Sequence, residues 1–458
     1  MRVNIEITTA SNGQFANIFL CYTEPETEIE KKVQLKVYDF ADLHDFTNDT
    51  SSLGFDFFLI SAIVYGIDDL FSREKYSFNG WTREFEIQIP LNNIDAWIPT
   101  TDSINEALTF LTGDYWSVSF CSLNTRMYAE RGNRRRSLIP RYDFGDYEFA
   151  SLFSGGLDSL IGVIDKLTNV PDAKKGILIS HSDGAHAGPK IDQERILPKL
   201  ERNFQNSITH LSLRVGLSNT DQDENKIERD SNQRSRSILF LGIATYIVNI
   251  IPNINTFLLP ENGTISLNHP LTPSRSSSLS TRTTHPYFIK KIQEILRQTG
   301  MSVHINNPYS FKTKGEMVFE CLNQTVLTEL FPESASCGKR GHTAHWDIKN
   351  AKQCGVCMPC IYRRASLHKL QLDNEVYGKD LLNHPDPINA SPDMPALFDY
   401  LKTNLPIERI GRNLLVNGSI PQDSLSDFAN VVVRSRREIL SWIRDIGSQQ
   451  LKTAVGIR

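Results

Sequence analysis

Residues 147–153, a largely apolar stretch, run directly into Ser154-Gly155-Gly156-Leu157-Asp158-Ser159. A helical pattern follows at once, carried by Leu160, Ile161, Val163, Ile164 and Leu167. This order reads as strand, tight loop and helix, with the loop at the carboxyl end of a strand in an α/β sheet. Two glycines let the backbone turn close to an anion, two serines offer hydroxyl donors, and the helix start adds free N–H groups and a positive dipole end. A phosphate-bearing ligand is therefore expected here. A Walker A loop carries Lys and Ser/Thr after its last glycine, whereas this loop carries Asp158, so a polyphosphate would be gripped differently.

The surrounding pattern extends this reading. Strands are expected at 147–153, 176–180, 208–215, 256–260 and 303–306, with helices at 157–168, 190–204, 237–250, 286–299 and 315–330. Such alternation predicts a parallel sheet covered on both faces, with ligands at the strands' carboxyl ends. The loops facing that edge bring in His181, Asp183, Glu261 and Asn262, and a Ser-rich loop at 274–280 that could cover the site. Residues 1–143 read as an independent α+β domain with strands at 2–7, 32–38, 57–64, 82–89 and 116–122 and a helix near 104–111. Residues 144–372 form the domain with the loop, and residues 373–458 a small helical extension, clearest at 396–404 and 430–446.

Composition excludes several classes. A net charge of −4 gives no global attraction to nucleic acid or anionic membrane. A nucleic-acid contact would have to be local, and the basic run Arg131, Arg134, Arg135 and Arg136 behind Arg126 is the place for one. The start of the chain lacks the build of a signal peptide, and the longest apolar run, 238–251, is too short to span a membrane, so a cytoplasmic chain is expected. Of seven cysteines, Cys21, Cys121 and Cys321 are scattered, whereas Cys337, Cys354, Cys357 and Cys360 cluster. Four thiolates with two adjacent C-x-x-C steps predict a closed structural Zn²⁺ site, with His342 and His345 as rival ligands.

The S-G-G-x-D-S loop resembles the PP-loop of ATP pyrophosphatases, which transfer AMP from ATP to a substrate oxygen and release pyrophosphate. With the cluster ending in Cys354-Gly355-Val356-Cys357-Met358-Pro359-Cys360 and a following arginine, Arg363 or Arg364, residues 146–372 resemble the 7-cyano-7-deazaguanine synthase (QueC) family. Residues 233–240, Gln-Arg-Ser-Arg-Ser-Ile-Leu-Phe, resemble that family's G-R-N-x-L-F segment with Arg236 at the arginine, and Lys314-Gly315-Glu316 resembles its K-x-E signature. Ser235 and Ser237 depart from the glycine and asparagine of that segment, and the first two cysteines lie farther apart. The flanking regions are similar to additions in QueC-like proteins of antiphage defence systems, above all the Qat type.

The resemblance implies a PP-loop, adenine nucleotide alpha hydrolase-like sheet with a zinc-binding insertion. It also implies an ATP-dependent carbon–nitrogen ligase that adenylates 7-carboxy-7-deazaguanine or a related deazapurine. Ser154, Gly155, Gly156, Leu157, Asp158, Ser159 and Lys314 would bind ATP, with Asp158 positioning Mg²⁺ and with Asp158, Arg236 and Lys314 as catalytic residues. The acceptor would be ammonia, or an amine of a partner protein or nucleic acid, with other proteins of the same defence system as candidate partners. A different class remains open at this point: a non-catalytic zinc-bearing module that senses nucleotide or binds nucleic acid.

Overall fold

The computed structural model describes residues 1–11, 13–129, 142–171, 174–182, 187–205, 207–230, 232, 234–271 and 282–457. The basic run at 131–136, Asp183, Gln233 and the Ser-rich loop at 274–280 lie outside these residues.

Among the described residues one ten-stranded sheet organises the chain. Its strands are β1 (Arg2–Thr8), β2 (Asn17–Thr23), β3 (Glu30–Tyr38), β4 (Glu84–Leu91), β5 (Tyr115–Ser122), β6 (Tyr147–Leu152), β7 (Lys175–Ser182), β8 (Ile208–Asp221), β9 (Thr256–Leu258) and β10 (His304–Asn306). They lie in the order β10-β9-β6-β7-β8-β3-β2-β1-β4-β5. All pairs are parallel except β1/β2, β2/β3 and β3/β8, so the fold is α/β with a mostly parallel sheet. In the half that carries the loop, the first strand, β6, lies between the second, β7, and the fourth, β9. The chain therefore changes direction of winding at β6, the position beyond whose carboxyl end open α/β sheets hold their ligands.

The first 143 residues do not stand apart from this sheet. β3 pairs with β8 through Val37↔Val215 and Tyr38↔Arg214. Helix Leu53–Leu70 packs on helix Arg236–Val248, and one hydrophobic cluster draws on both regions. Gly242 permits this contact: a Cβ there would lie 2.5 Å from Ser61 Oγ. A charged joint completes it. Arg83, fully buried, donates to Asp68 at 2.5 Å and to Asp114 at 2.7 Å, and Arg73 donates to Asp114 through both Nη atoms, at 2.7 and 2.9 Å. From the segment after β8, Asp230 accepts from Arg73 N at 2.8 Å, and Ser235 donates N–H and hydroxyl to Asp68 at 2.8 and 2.7 Å.

Two expected elements change. The stretch 57–64, expected as a strand, is the middle of helix Leu53–Leu70, in which every residue after Leu53 is buried. A continuous apolar run suits a buried strand or a buried helix equally; Ser52, whose side chain accepts from Phe55 N at 3.2 Å, starts the helix. The single helix expected at 315–330 is two, Lys314–Glu320 and Gln324–Leu330. Asn323 caps the second, and Leu322 N donates to Asp165 at 2.8 Å, so the break has its own hydrogen bonds.

The apolar run at 238–251 falls largely in helix Arg236–Val248, buried from Ile238 to Val248 except at Phe240. No helix among the described residues is long and apolar enough to cross a membrane. The C-terminal segment is helical, with Met394–Lys402, Ile407–Asn417, Gln422–Ile446 and Gln449–Ala454. Its core includes Trp442 and Ile443 together with Cys354, Cys357 and Cys360.

Candidate functional site

The loop after β6 has the backbone that its glycines allow. Gly155 adopts φ +80, a left-handed conformation, and a Cβ there would lie 3.2 Å from Asp192 Cβ. Gly156 then starts helix Leu157–Leu167 with no side-chain cap. Its first-turn N–H groups lack intrahelical acceptors and point out of the helix start, where an anion is stabilised. Exposed Ser154 and buried Ser159 bring their hydroxyls to 3.1 Å, and Gly156 N donates to Ser154 Oγ at 3.3 Å.

Beneath the loop three segments distant in sequence converge. Lys314 Nζ donates to Asp158 Oδ1, and Asn262 Nδ2 donates to Asp158 Oδ2 at 2.7 Å. Asn262 is held in turn as the cap of helix Gly263–Leu267, its Oδ1 accepting from Ile265 N at 3.1 Å. Glu261 lies beside them, 3.5 Å from the Asn262 amide. Burial pushes the Asp158 carboxyl up, but the Lys314 charge and hydrogen bonds from Glu261, Lys314 and Asn262 outweigh it and hold the group below its ordinary value. Burial and the adjacent Asp158 charge drive Glu261 well above its ordinary value. One lysine thus faces two carboxyls, and the second keeps a proton unless another cation approaches.

Lys314 is delivered by a short, strongly capped helix. Thr313 Oγ1 accepts from Glu316 N at 3.0 Å while Glu316 Oε2 accepts from Thr313 N at 2.9 Å, a capping box. Lys312, by contrast, points outward to Glu320 at 2.7 Å.

Arg236 opens helix Arg236–Val248 at the carboxyl edge of the sheet, with its guanidinium 5.8 Å from the Phe240 ring. Its buried Nε has no hydrogen-bond partner among the described residues. His181 is buried between the rings of Tyr65, at 5.6 Å, and Phe240, at 5.4 Å, and faces the Leu213 carbonyl at 3.2 Å. The two arginines after the last cysteine are held in ion pairs, although the buried Arg364 Nη1 has no hydrogen-bond partner among the described residues. Arg363 binds Glu375 at 2.7 Å, Ser334 at 3.0 Å and the Phe331 carbonyl at 2.8 Å, and Arg364 binds Asp373 at 3.2 Å.

Cys337, Cys354, Cys357 and Cys360 converge, with all four sulfurs within 4.8 Å of one another, and no histidine joins the group among the described residues. Cys354 and Cys360 lie 3.8 Å apart, and Cys337 and Cys357 4.0 Å. A tetrahedral zinc with Zn–S of about 2.3 Å separates its sulfurs by about 3.8 Å. Backbone N–H groups of Lys339 and Cys354 point at Cys337 Sγ, at 3.4 and 3.3 Å, and those of Val356 and Cys357 at Cys354 Sγ, at 3.4 and 3.3 Å. The cluster can therefore hold a metal such as zinc in a closed, structural site. Its loop also reaches the glycine loop after β6. Ala335 O lies 3.5 Å from where a Gly156 Cβ would stand, and Arg340 donates to Asp192 at 2.9 Å.

Sequence reading missed Arg340 and Asp192, and also Arg434 and Glu438, whose contacts cross more than a hundred residues. A cavity of about 1010 Å³ lined by Lys36, Tyr38, Asp39, Phe40 and Tyr128 opens on the first region and holds none of the motif residues. Comparison with protein-family models, curated proteins and solved structures finds no match.

Proposed function

We propose that the chain is an ATP-dependent ligase that adenylates a carboxylate and releases pyrophosphate. The observation that carries this reading is the convergence of Lys314, Asp158 and Asn262 beneath a glycine loop and an open helix start, at the sheet's change of winding. A loop of N–H and hydroxyl donors beside a buried lysine suits a leaving polyphosphate, where preorganised donors act on developing charge.

In the first step a carboxylate oxygen attacks the α-phosphorus of ATP, the bond to the α–β bridging oxygen breaks, and pyrophosphate leaves. In the second, an amine nitrogen attacks the acyl carbon, AMP leaves with its bonding pair, and the nitrogen gives up a proton. Asp158 holds the Lys314 ammonium in place, and Ser154, Ser159 and the first-turn N–H groups orient the phosphates. Mg²⁺ would neutralise the phosphates; Glu261, whose carboxyl lies next to Asp158, is the group able to meet it on losing its proton. Zinc at the four cysteines would hold the loop that carries Ala335 and Arg340 against the phosphate loop.

The motif resemblance supports 7-carboxy-7-deazaguanine or a related deazapurine as the carboxylate, and a role in antiphage defence. The test is a reaction of the full chain with MgATP and that compound, followed by AMP and pyrophosphate release and by mass spectrometry for the acyl-adenylate. Pyrophosphate that depends on the compound and disappears in Lys314→Met supports the reading. Its absence with every carboxylated deazapurine overturns it. Adding ammonia or candidate partner proteins identifies the acceptor by product mass.

A further inference from the structure

Helix Gln422–Ile446 carries no motif, yet it grips the segment that delivers Lys314. Arg434 Nε donates to Glu316 Oε1 at 2.5 Å, and its Nη2 donates to Glu316 Oε2 at 3.2 Å and to the Phe311 carbonyl at 2.7 Å. One helical turn later Glu438 accepts from the Thr313 hydroxyl and, at 3.3 Å, from Gly315 N. The Phe428 ring stacks on Phe311 at 4.5 Å. The fit is close: a Cβ at Gly315 would lie 2.5 Å from Glu438 Oε1, so a side chain there would push the Glu438 carboxylate aside. Glu316 is already the capping-box partner of Thr313, so Arg434 fixes the carboxylate that defines the helix start.

Residues on both sides of Lys314 are thereby tied to the C-terminal helix, while its own side chain runs to Asp158. A helix of seven residues has little stability of its own. Its position must come from such outside contacts.

We propose that Arg434 and Glu438 are positioning residues for Lys314, so that the C-terminal extension completes the phosphate site. The proposal rests on the reading of the loop as a phosphate site. It assigns the extension a task within that site.

The test uses the full chain with Arg434→Gln, Arg434→Lys and Glu438→Gln, each alone and combined with Lys314→Met. Calorimetry gives the Kd for MgATP and for inorganic pyrophosphate, with melting temperature and metal content as controls of folding. Arg434→Gln raises both Kd values about tenfold, as loss of a charged hydrogen bond would. Arg434→Lys recovers part of that loss and Glu438→Gln causes a smaller one. Neither adds to the loss in Lys314→Met, because the brace acts through the lysine. Native binding by both Arg434→Gln and Glu438→Gln, or equal further losses without the lysine, overturns the proposal. If the native chain binds neither ligand, the phosphate-site reading fails first. The brace is then decided by hydrogen exchange, which must quicken at amides 313–318 in Arg434→Gln and overturns the proposal if unchanged.

Discussion

Arg83 and Lys314 are both buried cations facing aspartates, but their surroundings differ in one respect that separates a joint from a site. Around Arg83 the groups answer one another. Its guanidinium spreads over Asp68, Asp114 and the Phe71 carbonyl, Arg73 meets Asp114 with both Nη atoms, and Ser235 occupies the remaining oxygen of Asp68. Around Lys314 one ammonium faces Asp158 and Glu261, and the second carboxyl is driven toward its protonated form. The first cluster lies between two regions of the sheet, and the second lies beneath a loop at the carboxyl end of an interior strand. A network whose aspartate oxygens all meet donors, with Arg73 Nε left without a hydrogen-bond partner among the described residues, fixes two regions together. An excess of carboxyl beside a glycine loop and an uncapped helix start invites a cation.

The largest expected effect breaks the first cluster. Arg83→Ala leaves buried aspartates without their partner and costs about 3–5 kcal/mol, measured by denaturant unfolding of the full chain. A loss below about 1 kcal/mol would mean that the joint tolerates water and does not differ from the Lys314 cluster in this respect. Lys314→Met sharpens the contrast from the other side. It lowers MgATP affinity by about a hundredfold, about 2.7 kcal/mol, while costing less stability than Arg83→Ala because Asp158 keeps Asn262. Equal stability losses from the two variants would assign Lys314 to the scaffold.

Legibility in the sequence followed the range of the interactions. The loop at Ser154–Ser159 and the cysteine cluster are local patterns, and the structure places both in the geometry that their spacing implies. The parallel alternation after residue 144 was legible for the same reason. The joint between the first region and β8 was not, since Arg83 meets Asp230 across 147 residues. Nor was the helix at Leu53–Leu70, whose uniform apolar run carries no period. Lys314 and Asp158 could each be singled out by their motifs, but not their pairing, nor the reasons for the neighbours of Lys314. Gly315 makes room for Glu438, and Glu316 serves the cap and Arg434 together.

A smaller effect probes the charge excess. Asn262→Asp keeps an acceptor for Ile265 N but replaces the amide donor to Asp158 with a third carboxyl. The expected loss is about 1–2 kcal/mol, partly restored by Mg²⁺ in the melting temperature. No loss, or a loss that Mg²⁺ leaves untouched, would place the excess charge in open solvent.

The smallest effect concerns Glu438 and has a definite sign. Burial first, then the Glu316 charge, raise its carboxyl from 4.5 to about 7, against the lowering hydrogen bonds of Thr313 and Gly315 and the charge of Lys369. Between those values the folded chain holds a proton that the unfolded chain has lost. Stability from this group is therefore full below the unfolded value and falls as pH rises through about 7. From about pH 6 to about pH 7 the native chain should lose about 1 kcal/mol more unfolding free energy than Glu438→Gln, which has no proton to release. Parallel pH profiles for the two proteins would show that Glu438 is already ionised against the lysine helix, and that the brace is held by charge throughout this range.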